Sequence, residues 1–295
     1  MSPGRMELSG ANLGSDEFRL LRDLVYEYAG LHFDDAAMFL FERRLGERVE
    51  FLGLENFYAY YKYLRFSSLG QQELEEALER LTTKETYFFR QEYQLRAFSD
   101  QILPEIADRL SDKKRLTIWS AGCATGEEVY TIAMLILESR LLTGWDVKIV
   151  GSDLCRASVA TARRGVYREA SFRTTPDALR RRYFRDVEEG TEVQPHVKKL
   201  CQFGQLNLMG GGAALMVGRV DVIFCRNVLI YFDMRSRRRV IDSFYEQLVP
   251  GGYLLLGHSE SLLNVTTAFE LVHLREDLVY RKPKGGGLFD GGSRT

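Results

Sequence analysis

The chain has 295 residues, 45% hydrophobic and 27% charged, with a formal net charge of −1. That balance belongs to a folded globular protein of one large or two smaller domains, and it leaves no global basic field to recruit nucleic acid. The longest apolar runs are strand-sized, no charged-then-apolar leader opens the chain, and Cys123, Cys155, Cys201 and Cys225 lack a CxxC pair, against a membrane span, export, a zinc site or a disulfide framework.

Up to about residue 110 the apolar spacing is helical. Ser15 caps a first helix that carries Asp16 and Glu17 in its first turn, aligns Phe18, Leu21, Val25 and Tyr28, and stops at Gly30. A second helix starts near Asp34 or Asp35. Its stripe of Met38, Phe41, Leu45, Val49 and Leu52 repeats at helical spacing and ends at Gly53. Asn56 caps a third, tyrosine-rich helix, and Leu74, Leu78 and Leu81 mark a fourth. These elements predict an all-helical domain over residues 12–82, then a linker and connecting helix over 83–114.

From residue 115 the pattern becomes alternating strands and helices. Strands are predicted over 115–120, 146–152, 199–203, 221–225 and 253–256, with a closing hairpin over 269–281. Such alternation gives an α/β domain over 115–282, a parallel sheet with helices on both faces. An arginine-rich stretch over 166–200, with Gly190 and Pro195, interrupts the rhythm and reads as a small inserted subdomain. The tail over 283–295 is glycine-rich and polar, the composition of a flexible end or linker.

In a doubly wound sheet, ligands bind beyond the carboxyl ends of the strands. The first strand runs into A-G-C-A-T-G-E-E (121–128), a sharp turn ahead of a helix that opens with two carboxylates. Bare backbone at a helix N-terminus admits a close ligand, yet Glu127 and Glu128 would repel a phosphate, so the ligand should carry a cationic group. Gly122 and Gly126 do not make G-x-G-x-x-G, and there is no G-K-[ST], so the dinucleotide fingerprint and the P-loop are both absent. The second strand ends at Asp153, placed to take both hydroxyls of a ribose. S-adenosylmethionine, a nucleoside with a sulfonium and an ammonium, fits this set.

Past the fourth strand stand Arg226, Asn227 and Tyr231, where a transferred group would sit. The segment T-T-K-E-T-Y-F-F-R (82–90) joins the helical part to the sheet. Taken singly, these residues have plainer readings. The glycines suit a turn without ligand, Glu127 and Glu128 suit a helix start, Asp153 suits a cap, Tyr231 a core aromatic and Arg90 an interdomain salt bridge.

Together the segments resemble the CheR-type methyltransferases, which methylate glutamates of bacterial chemotaxis receptors. The resemblance runs from about residue 12 to 282 and joins, in order, the helical domain, T-T-x-x-T-x-F-F-R, T-G-E-E (125–128), S-D (152–153), N-L (207–208), C-R-N-V-x-I-Y-F-D (225–233) and G-H-S-E (257–260). It implies a Rossmann-like class I methyltransferase sheet, an N-terminal all-helical receptor-recognition domain and a small inserted antiparallel subdomain. It also implies that Lys84, Thr86, Arg90, Glu128, Asp153, Asn207, Leu208, Arg226 and Asn227 contact S-adenosylmethionine or its product S-adenosylhomocysteine. Arg90 and Tyr231 would lie beside the transferred methyl. Lys84 stands where the family commonly has asparagine, and Val129 where it has proline.

The same resemblance sets the cytoplasmic helical region of a receptor against Arg43, Arg44 and Arg48 of the second helix. Spacing alone reads these as a solvated face paired with Glu42, Glu47 and Glu50. The loop over 186–195 is shorter than in members that dock on a receptor's C-terminal peptide, which implies independence of that tether. The implied whole is a cytoplasmic enzyme recruited to membrane receptors, with no metal, no nucleic acid and no membrane insertion. A glutamate with an ordinary pKa near 4.3 is ionised at neutral pH and needs no general base. His32, His196, His258 and His273 therefore read as structural, with His258 the one that could line the pocket. Two alternatives stay open on the residues: a methyltransferase acting on another substrate, and a donor-binding sensor or scaffold without turnover.

Overall fold

The change of apolar period near residue 115 is matched by a change of architecture in the computed structural model, which describes residues 12–285. The chain divides between Thr83 and Lys84 into two compact units. The described residues of the first form four α-helices: α1 (Ser15–Ala29), α2 (Met38–Phe51), α3 (Phe57–Phe66) and α4 (Gly70–Leu81). Their apolar stripes form its core, with Phe18, Leu21, Val25, Phe41, Leu45, Val49, Leu64, Leu74, Leu78 and Leu81 buried. Gly14 rather than Ser15 takes the capping position of α1, and Glu17 Oε2 reaches back to accept its N–H at 2.8 Å. Asn56 caps α3 as the pattern predicts, accepting from the Ala59 N–H at 2.8 Å. α2 begins only at Met38 because Asp35–Ala37 form a 3-10 turn ahead of it.

Helices α2 and α4 are joined by a nearly buried fork. Arg48 donates from Nε and Nη2 to Glu73 Oε1 and Oε2 at 2.8 and 2.6 Å, and the Tyr60 hydroxyl donates to Oε1 at 2.8 Å. The two side chains are 12% and 8% exposed, so removing either would strand the other's charge.

The second unit opens with α5 (Glu92–Ala97), a π turn (Phe98–Ile102) and α6 (Leu103–Arg109). There follow β1 (Arg115–Ala121), α7 (Glu127–Ser139), β2 (Asp146–Asp153) and α8 (Arg156–Arg164). The inserted part holds β3 (Val166–Tyr167), α9 (Asp177–Tyr183), β4 (Phe184–Val187), β5 (Gly190–Val193) and α10 (Pro195–Lys198). The alternation then resumes with β6 (Cys201–Gln205), α11 (Ala213–Met216), β7 (Val220–Cys225), α12 (Met234–Gln247), β8 (Leu248–Leu256), β9 (Glu270–His273) and β10 (Leu278–Arg281).

The main sheet runs β6-β2-β1-β7-β8-β10-β9. Its strands from β6 to β8 are parallel, and β10 is antiparallel to both neighbours. The alternation predicts its parallel strands, and the resemblance implies its Rossmann-like order. Strand order reverses between β1 and β7, which opens a crevice beyond their carboxyl ends. The inserted part forms its own antiparallel sheet, β3-β5-β4. Gly190 starts β5 at φ 144, and a Cβ there would stand 2.5 Å from the Tyr167 carbonyl oxygen.

Of residues 83–114, read from the sequence as a linker and connecting helix, all from Lys84 onward belong to the second unit. Phe88, Phe89, Leu95, Phe98, Ile102 and Ile106 share one buried core with Ile118 of β1 and Ile132 of α7. Burial of that many apolar side chains fixes the segment to the sheet. The glycine-rich tail lies outside the described residues from 286 onward. No helix among the described residues is long and apolar enough to cross a membrane.

Candidate active site

At the end of β1 the backbone turns sharply, with Gly122 at φ 77 and Gly126 at φ 95. A Cβ on Gly122 would lie 2.4 Å from Val228 Cγ2, and one on Gly126 would lie 2.7 Å from the Ala162 Cβ. Glycine is required at both positions by the backbone and by the closeness of its neighbours. Asp153, at the end of β2, braces the turn. Its Oδ2 accepts the Ala124 N–H at 2.8 Å and its Oδ1 accepts the Cys155 N–H at 2.9 Å. Burial pushes this carboxyl up, opposed by the two N–H groups and by the Lys84 ammonium. Each oxygen keeps a further lone pair, so the carboxylate can still accept from a diol.

Arg226 follows β7 and is only 8% exposed. Its Nη1 donates to Glu128 Oε2 and its Nε to Gln94 Oε1, both at 2.9 Å. Its Nη2 donates to the Arg90 carbonyl at 2.5 Å and to Gln91 Oε1 at 2.9 Å. One guanidinium N–H, on Nη1, has no hydrogen-bond partner among the described residues. Arg226 therefore organises the site, joining the acid at the start of α7 to the segment around Arg90. Glu128 completes the junction by accepting the Ser120 hydroxyl at 2.7 Å, and Gln94 extends it to the Leu256 carbonyl at 2.8 Å and to Asp277 at 3.0 Å.

The segment that carries Thr86 and Arg90 is stitched to the inserted subdomain. The Phe88 N–H donates to the Ser171 carbonyl at 2.9 Å, and the Thr174 hydroxyl to the Phe88 carbonyl at 2.8 Å. Arg173 donates to Glu85 at 2.8 Å and lies over the Tyr87 ring at 3.7 Å. Arg90 is half-buried, flanked by Phe89 and Gln91 at φ 60 and 57, and its Nη1 donates to the Glu85 carbonyl at 2.7 Å. Non-glycine residues in this region are strained, and such strain gathers at functional sites.

Glu127 and Glu128 have different surroundings. Glu127 is 2% exposed and accepts the hydroxyls of Thr125 and Ser171 at 2.7 and 3.0 Å, so it fastens the turn to the inserted subdomain. Burial pushes its carboxyl up. Glu128 stays 15% exposed beside Arg226.

Asn227 sits at φ 61, and its Oδ1 is buried with no hydrogen-bond partner among the described residues. A buried acceptor of this kind is one that a water or a ligand donor can satisfy. Its loop is held by Glu260. Oε2 accepts the N–H groups of Asn227 and Gly257, each at 2.7 Å, while Oε1 accepts those of Val228 at 2.8 Å and Ile230 at 3.3 Å. Tyr231 ends a half-exposed 3-10 turn (Leu229–Tyr231) on the same loop. After β6, the Leu206 N–H donates to the Asp153 carbonyl at 2.9 Å, which sets half-buried Asn207 and Leu208 beside the end of β2. His258 is exposed.

The roles of Ser120, Gln91, Gln94 and Glu260 were not read from the sequence. Glu260 lay within a quoted motif, but no local pattern tells that a carboxylate will cap a loop far earlier in the chain. Arg43, Arg44 and Arg48 belong to the first unit and are not part of this site. Arg43 and Arg44 are exposed on α2, with Arg43 over the Phe39 ring at 5.7 Å and Arg44 donating to the Arg80 carbonyl at 3.0 Å.

Acidic acceptors, an unsatisfied amide oxygen and close-approach glycines suit a nucleoside bearing a cation. Comparison with known proteins points the same way. A family model described as CheR methyltransferase, SAM binding domain, matches residues 84–278, and another, CheR methyltransferase, all-alpha domain, matches residues 16–82. Chemotaxis protein methyltransferase 2 of Vibrio cholerae is 36% identical over 272 residues, covering 92% of this chain and 94% of that one. A chemotaxis protein methyltransferase of Borreliella burgdorferi is 34% identical over 256 residues, covering 85% and 90%. Chemotaxis protein methyltransferase 1 of Pseudomonas aeruginosa is 31% identical over 283 residues, covering 93% and 99%.

Proposed function

Because this chain belongs to the CheR methyltransferase family, we propose that it moves the methyl group of S-adenosylmethionine onto glutamate side chains of chemotaxis receptors, forming methyl esters. The observation that carries this reading lies at the carboxyl ends of β1, β2 and β7, where Asp153 braces a glycine turn, Glu128 pairs with Arg226, and Asn227 Oδ1 is buried without a partner among the described residues. When bound, S-adenosylmethionine supplies an electrophilic methyl on a sulfonium, which a carboxylate oxygen takes by in-line displacement to leave a neutral thioether.

The chain's own residues bind and align. Asp153 accepts from ribose hydroxyls, Glu128 from the ammonium group, and Asn227 Oδ1 takes the donor it lacks. Lys84, Thr86, Asn207, Leu208 and the free Arg226 proton complete the wall. Arg90 and Tyr231 stand beside the transferred methyl. Arg90, tethered to the Glu85 carbonyl, steers the substrate carboxylate without gripping it, since a tight salt bridge would lower the oxygen's nucleophilicity. The substrate is ionised at neutral pH, so alignment and exclusion of water are what the site must provide.

Receptor recognition falls to the first unit, where Arg43 and Arg44 face outward to meet an acidic helix. Arg48 supports them by fixing α2 through Glu73. The short connection between β4 and β5 supports action without a C-terminal peptide tether. The enzyme would work in the cytoplasm, drawn to receptors at the membrane.

Receptor-containing membranes incubated with this protein and labelled donor should gain alkali-labile label on the receptor. Binding of S-adenosylhomocysteine with no transfer would favour a sensor and overturn the reading. Arg90→Ala should lower transfer by about 10²-fold or more, far more than it weakens product binding.

A further inference from the structure

Helix α12 begins with residues that its position disfavours. Arg235 and Arg237 lie in the first turn, the positive end of the helix dipole where cations are unfavourable, and Arg238 and Arg239 follow directly. Two of them have structural partners. Arg237 Nε donates to the Leu229 carbonyl at 2.9 Å, and Arg238 Nε donates to the Val265 carbonyl at 3.1 Å. Arg235 and Arg239, one turn apart, are exposed and have no hydrogen-bond or ion-pair partner among the described residues.

Exposed apolar side chains gather at the same place: Ile230 is 44% exposed, Met234 51% and Leu263 77%. Hydrogen bonds hold the three segments that carry them side by side. Glu260 accepts the Ile230 N–H, Arg238 reaches Val265, and the Val265 N–H donates to the carbonyl of buried Leu262. The loop around Leu263, the start of α12 and the 3-10 turn of Tyr231 are thereby one rim beside the crevice. Single exposed apolar residues are ordinary, but an apolar cluster with unpaired cations at a catalytic mouth is a recognition surface.

We propose that this rim is a docking surface for the methyl-accepting segment, an acidic amphipathic helix. Its apolar stripe would lie on Ile230, Met234 and Leu263, and its carboxylates would face Arg235 and Arg239, presenting one glutamate to the site beside Tyr231. The inference rests on the receptor reading above and adds where the catalytic unit itself grips the substrate.

Two double variants test it: Met234→Glu with Leu263→Glu, and Arg235→Glu with Arg239→Glu. With a receptor cytoplasmic fragment as substrate, each should raise KM by about tenfold or more, leave kcat at saturation nearly unchanged and leave S-adenosylhomocysteine affinity unchanged. The arginine effect should shrink as salt rises, the apolar effect should not, and Arg235→Lys with Arg239→Lys should restore a near-normal KM. An unchanged KM in both double variants overturns the rim. So does a loss of S-adenosylhomocysteine binding that matches the loss of transfer, because it would put these residues in the cofactor site. No transfer by the wild-type protein sinks the receptor reading, and the rim with it, and is told apart by being seen before any substitution.

Discussion

Glu127 and Glu128 occupy the same first turn of α7 and do different things. Glu127 spends both oxygens on hydroxyls of the turn and the inserted subdomain, and Glu128 pairs with Arg226 at the crevice. Burial holds the Glu127 carboxyl above its usual range, so the folded state keeps this proton longer than the unfolded chain does. Its contribution to stability therefore falls as pH rises from the ordinary value near 4.3 through the raised one. Glu127→Gln should gain thermal stability relative to the wild type over that rise, with S-adenosylhomocysteine affinity unchanged. A gap in melting temperature that stays flat or narrows would contradict this. The sequence could not rank the two acids, because the helix dipole favours both. Ser171 and Arg226, distant in the chain, separate them.

Among the elements, the loop after β7 depends on one carboxylate. Glu260 gathers four backbone N–H groups, and its amide analogue would turn a donor toward some of them. Glu260→Gln should weaken S-adenosylhomocysteine binding by about tenfold or more, read by calorimetry, because Asn227 loses its fixed orientation. Binding equal to wild type would deny Glu260 that role. In the first unit, Arg48→Met strands the Glu73 charge and should cost about 3–5 kcal/mol, seen as faster hydrogen exchange across α2 and α4 in the full chain. The helices themselves were legible, since Phe41, Leu45 and Val49 repeat at helical spacing and are buried. The fork between Arg48 and Glu73 was not, because Arg48 shares a charged helix face with Arg44, and spacing does not tell which guanidinium turns inward.

At the scale of the molecule, alternation predicted the parallel sheet, and the strand-end motifs fall at its carboxyl edge. Strand order placed the crevice between β1 and β7, and no local pattern encodes that order. The segment over 83–114 reads as a linker and connecting helix, but its polar start hides how many of its apolar residues, Phe88 to Ile106, enter the core of the second unit. Arg43→Glu with Arg44→Glu should lower receptor methylation while S-adenosylhomocysteine binding stays intact, and equal loss of both would contradict recognition by α2. Peptide mass spectrometry on a receptor fragment, after reaction with this protein and S-adenosylmethionine, should place the methyl on glutamate side chains and lose it in mild base. Methyl groups that resist base, or that sit on another residue type, would contradict the account.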